Sequence, residues 1–106
     1  GGMIVSCNAY ENTGIGIYAS QGSKVTGCTS FANEGDGILL GFGCTVAHCS
    51  ADNNTGRGFD ASNGTVITDC SAAFNGATGF FVYTSVVVRN CYAMGNGLSG
   101  IDTSSY

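Results

Sequence analysis

Cysteines recur at Cys7, Cys28, Cys49, Cys70 and Cys91, each 21 residues after the one before. Other columns keep the same step. Asn12, Asn33, Asn54, Asn75 and Asn96 form one, and Gly16, Gly37, Gly58, Gly79 and Gly100 another. Two more are apolar throughout: Ile4, Val25, Val46, Ile67, Val88 and Ile17, Ile38, Phe59, Phe80, Ile101. A repeat of this length is one supersecondary unit stacked on copies of itself.

Each block holds short runs suited to strands. The first is the Ile4-Val5 type, and the second begins at the cysteine, as in Cys28-Thr29-Ser30-Phe31. The third follows the glycine, as in Gly37-Ile38-Leu39-Leu40. Strand side chains alternate, so the cysteine shares an inward face with a small residue two positions later: Ala9, Ser30, Ala51, Ala72 or Ala93. No apolar pattern at i, i+3, i+4 and i+7 lasts long enough for a helix, and 18 glycines oppose one. Proline, which would remove ladder hydrogen bonds, is absent. The expectation is an all-β solenoid of five 21-residue coils, rising ~4.8 Å per coil into a rod roughly 24 Å long. Stacked asparagines would pass amide hydrogen bonds from coil to coil.

These rungs, Val46-Ala47-His48-Cys49-Ser50-Ala51 and Asn54-Thr55-Gly56-Arg57-Gly58-Phe59, resemble the right-handed single-stranded parallel β-helix of the pectin-lyase-like superfamily. The resemblance covers the whole chain and implies fold more than activity, because lyases, hydrolases, epimerases, phage fibres and non-catalytic surface proteins share it. Arg57-Gly58-Phe59-Asp60-Ala61-Ser62 is similar to the Tyr-Gly-Phe-Asp-Pro-His motif of alginate C5-epimerases. Asp60 is the one catalytic position the likeness carries over, since Arg57 and Ser62 replace the tyrosine and histidine. Pectin-hydrolase hallmarks are missing. The left-handed hexapeptide solenoid lacks its six-residue period here, and a calcium-binding nonapeptide pattern matches once only, at Gly56-x-Gly58-x-Asp60.

The outward column of the third strand reads Tyr18, Leu39, Asp60, Phe81, Asp102. The resemblance makes this face a polysaccharide groove, with Tyr18, Arg57, Asp60, Phe81 and Asp102 as substrate contacts. Asp60 and Asp102 are the catalytic candidates, roughly 9–10 Å apart from strand spacing, near the upper end for an inverting carboxylate pair. The competing reading is a solvated strand face. Arg57 lies one coil from Asp36 and is expected to form a surface ion pair with it, worth under ~1 kcal/mol. His48 stacks on Asp69, which reads as a polar turn ladder rather than as a general base, since no nucleophile is close. The cysteine row reads as buried core filler. Its parallel Cβ vectors oppose disulfides, and a straight row is not a tetrahedral zinc site. The irregular column Asn8, Thr29, Ser50, Ser71, Tyr92 is no flat threonine ladder. No metal or cofactor is expected.

A formal charge of −4 with only Lys24, Arg57 and Arg89 basic argues against nucleic acid. No apolar run reaches the ~18 residues of a spanning helix. Gly1-Gly2 reads as a cloning remnant, leaving residues 3–106 as a single β-helix domain. Neither end has a recognisable cap, and the chain stops at Tyr106, one residue short of completing the fifth coil. That suggests an excised or engineered block of a longer solenoid, its coils either stacking end to end with another copy or protected by swapping. The resemblance implies an extracellular or cell-surface parent. The function expected is a structural or carbohydrate-facing segment without its own catalytic site. The alternatives are a polysaccharide epimerase, lyase or hydrolase around Asp60, and a self-assembling scaffold.

Overall fold

A computed structural model describes residues 1–103; Tyr106 lies outside the described residues. Each coil contributes three strands of three residues. The first coil holds β1 (Met3–Val5), β2 (Asn8–Tyr10) and β3 (Ile17–Ala19). The second holds β4 (Lys24–Thr26), β5 (Thr29–Phe31) and β6 (Ile38–Leu40). The third holds β7 (Thr45–Ala47), β8 (Ser50–Asp52) and β9 (Phe59–Ala61). The fourth holds β10 (Val66–Thr68), β11 (Ser71–Ala73) and β12 (Phe80–Val82). The fifth holds β13 (Val87–Arg89), β14 (Tyr92–Met94) and β15 (Ile101–Thr103). Strands stack into three parallel five-stranded sheets, and every pair is offset by 21 residues, as in Ile38↔Phe59. Equal steps along the chain therefore become vertical neighbours. The extents of 29 × 26 × 22 Å make the stack a squat prism.

The core is the inside of this prism. Val25, Val46 and Ile67 from the first sheet meet Ile38, Leu40, Phe59 and Phe80 from the third, all fully buried. Phe59 and Phe80 stack with ring centroids 4.8 Å apart. The second sheet faces inward with Ser30, Ala51 and Ala72, small enough for the narrow interior.

Asparagine forms the spine of one corner. The Oδ1 of Asn54 accepts the backbone N–H of Asn33 at 3.0 Å and its Nδ2 at 2.9 Å. The Nδ2 of Asn54 donates onward to Asn75 at 3.0 Å and back to the Ser30 carbonyl at 3.1 Å. The pattern runs from Asn12 to Asn96. It explains the neighbouring glycine column. A Cβ on Gly58 would sit 2.6 Å from the Gly79 carbonyl oxygen and 2.8 Å from the Asn75 amide, so close approach excludes a side chain.

Cysteines line the adjacent turn. The Cys28 thiol donates to the Thr26 carbonyl, and its sulfur accepts the Cys7 N–H at 3.4 Å. None of the six cysteines is in a disulfide. Burial raises the pKa of Cys28. Cys44 joins a separate buried column with Ser23 and Thr65. There the Cys44 thiol donates to the Ser20 carbonyl at 3.2 Å and the Thr65 hydroxyl to the Gly41 carbonyl at 3.2 Å.

The prism's bends are left-handed backbone residues. One column is Ser6, Gly27, His48, Asp69 and Asn90, with φ from 52° to 66°. A second is Glu11, Ala32, Asn53, Phe74 and Gly95, and a third is Gly22, Gly43, Gly64 and Ser85. This conformation costs a side-chain-bearing residue about 1–2 kcal/mol. In the first three coils each bend gains a hydrogen bond to the next coil: His48 N–H donates to the Thr68 carbonyl at 3.2 Å, and Asn53 N–H to Ala73 at 3.0 Å. His48 and Asp69 are therefore exposed corner residues whose alignment follows from the backbone.

Candidate functional site

The third sheet (β3, β6, β9, β12, β15) presents the outward column Tyr18, Leu39, Asp60, Phe81, Asp102, in the register expected. Its centre differs from a solvated face. Asp60 is only 9% exposed, flanked by Leu39 and Phe81 on the neighbouring strands. Burial raises its pKa, Arg57 opposes that rise, and the negative charge of Asp36 adds to it.

Arg57 pairs along its own coil. Its Nη1 donates to Asp60 Oδ2 at 3.0 Å, and its guanidinium carbon lies 3.9 Å from the Phe81 ring centre. Phe81 in turn packs edge-on against Tyr83 at 5.5 Å. The expected Arg57–Asp36 ion pair is not the one formed. Asp36 Oδ1 instead accepts the Arg57 backbone N–H at 2.8 Å, and it lies where a side chain on Gly56 would be. The Arg57 side chain lies toward β9 and β12. With the arginine 36% exposed, the ion pair is worth about 0–1 kcal/mol and the ring contact about 0.5–1 kcal/mol. Their main effect is to hold a charged, planar group at one orientation on the surface.

Tyr18 is 64% exposed. It rims a cleft of about 420 Å³ that also involves Gln21, Leu39, Gly41, Phe42 and Ser62. Asp102 is exposed in β15, and Phe81 stands between it and Asp60 in the strand register, so the two carboxylates are not neighbours. Sequence reading missed Gln21, Phe42 and Tyr83. The signals were present: Phe42 is an aromatic in a turn column otherwise holding Gln21, Asn63 and Thr84, and Tyr83 breaks a column of Ser20, Gly41 and Ser62. Among the described residues, no group of three or more His, Cys, Asp or Glu side chains is placed to hold a metal ion.

A family model described as a right handed beta helix region matches residues 1–66. The chain belongs to the right-handed β-helix family. Among solved structures, a double mutant of the periplasmic alginate epimerase AlgG is similar, with a TM-score of 0.84 and 23% identity over 94% of this chain. A single mutant of that epimerase gives a TM-score of 0.44 at 12% identity, covering 97% of this chain and 39% of that one. No curated protein gives a significant match. The β-helix chain spans 26% of the first epimerase's length, and at this identity the likeness is one of fold.

Proposed function

We propose that this β-helix segment is a polysaccharide-facing surface without a complete catalytic set of its own, its contact face being the outside of the third sheet. The observation that carries this reading is the arrangement of Arg57, held between Asp60 and the Phe81 ring beside Tyr83. Sugar recognition draws on aromatic faces and fixed polar groups, and a preorganised guanidinium loses little freedom on binding. Tyr18 and Leu39 extend the same face toward the first coil, and Asp102 extends it toward the fifth. The fold likeness to an alginate-acting, periplasmic enzyme supports a polysaccharide relation and a location outside the cytoplasm.

One observation favours an enzymatic alternative. Asp60 is a sheltered carboxyl with a raised pKa beside an arginine, an arrangement suited to proton transfer. Against it, Arg57 and Ser62 stand where the epimerase-like motif has its tyrosine and histidine. A glycan array combined with turnover assays on alginate and pectin separates the two. Binding without turnover, weakened at least tenfold in Arg57→Ala, supports the contact face. Turnover that Asp60→Ala abolishes replaces it with the enzyme, and the absence of any glycan binding refutes both.

A further inference from the structure

We propose that the cleft beside Tyr18 is a subsite for one uncharged pyranose ring, so that the glycan held on this face contains neutral sugar units. This rests on the reading of the third sheet as a polysaccharide face and adds the class of sugar. The cleft spans the first three coils at the edge of that sheet. It opens because the column Ser20, Gly41, Ser62 carries little bulk, and the corner beyond it bends at Gly22 and Gly43, both in the left-handed conformation. In the fourth coil the same column holds Tyr83, packed on Phe81, and the cleft ends before it.

Its chemistry is specific. Tyr18 and Phe42, 64% and 57% exposed, offer aromatic surface for the apolar face of a ring. Gln21 and Ser62 offer hydrogen-bonding groups at the rim. None of the lining side chains is charged. A volume near 420 Å³ falls in the range of small-ligand sites, and such sites combine apolar walls with a few polar groups. A uronate here would find no cation in the cleft lining, on a chain whose formal charge is already −4. A neutral ring loses nothing by that arrangement.

Amide chemical-shift titration of the intact chain tests this, with cellohexaose, mannohexaose and methyl β-galactopyranoside as neutral probes and hexamannuronate as the acidic one. The expected result is saturable shifts at Gln21, Gly41, Phe42 and Ser62 with at least one neutral probe. Phe42→Ala should weaken that binding tenfold or more, with the Gly58 and Asp60 amide positions unchanged in the free variant. Because Phe42 is largely exposed, the variant leaves the core intact. Neutral probes that move only Asp60, Phe81 and Tyr83 overturn the subsite and leave the polysaccharide face standing. Hexamannuronate filling the cleft as tightly as the neutral probes overturns the selection for an uncharged ring. No shift anywhere with any probe removes both proposals.

Discussion

Removing one rung from the middle of the asparagine ladder should cost far more than removing one from its end. In Asn54→Ala, four hydrogen bonds disappear: two accepted by Oδ1 from Asn33 and two donated by Nδ2, to Asn75 and to the Ser30 carbonyl. Their fates differ. The Asn75 Oδ1 still receives the Asn54 backbone N–H at 3.1 Å, and the Asn33 Nδ2 keeps Ser30 Oγ at 3.0 Å. The Asn33 N–H, inside a residue only 1% exposed, loses its acceptor. An orphaned buried donor costs about 1–3 kcal/mol, and each of the three other bonds about 0.5–1.5 kcal/mol, so a loss of about 2.5–7.5 kcal/mol is expected. That is a large share of the roughly 5–15 kcal/mol that holds a domain folded. Asn12→Ala removes only one side-chain donation, to Asn33 at 2.8 Å, at a partly exposed position, and should cost about 1 kcal/mol or less. Urea unfolding followed by circular dichroism gives both values, and hydrogen exchange at the Asn33 amide should accelerate in Asn54→Ala alone. Equal losses for the two variants would show that the ladder is a by-product of stacking and not a source of stability.

Two further outcomes follow from the site and the packing. The Asp60 carboxyl, followed by carbon NMR, should titrate above the ordinary aspartate value; Arg57→Ala should raise it further and Asp36→Asn lower it. Because its folded pKa exceeds the unfolded one, Asp60 adds stability as pH falls through the folded value and that gain is lost as pH rises, so a midpoint below 3.8 would refute the burial assigned to it. Gly58→Ala should lower the melting temperature more than Gly64→Ala. The former drives a methyl into the Gly79 carbonyl, whereas the latter meets nothing nearer than 3.8 Å and pays only the left-handed backbone cost of about 1–2 kcal/mol.

The strands were legible because the stacking is in register. A 21-residue step places Cys28 over Cys7 and Asn54 over Asn33, and any solenoid with that period must do so. The corners were harder to read. Glu11, Ala32 and Phe74 are poor formers of left-handed backbone, and only their shared position in the coil puts them there. At the site, the 21-residue step places Arg57 beside Asp36. The side chain instead runs along its own coil to Asp60, while Asp36 engages the backbone N–H. The cleft was invisible for a related reason. It is defined by what the column through Gly41 lacks, and an absence of bulk has no motif.

The left-handed bends separate what shapes the prism from what it displays. Glutamate, alanine, asparagine, phenylalanine and glycine all occupy the second bend at φ between 55° and 66°, and the first four are secured by a main-chain amide that donates to the next coil. Side chains there point outward from a backbone already fixed by its neighbours above and below. The exposed vertices at Glu11, Ala32 and Asn53 can accept new charges, aromatics or attachment points with little effect on the tube, whereas the amide spine beside them tolerates almost none.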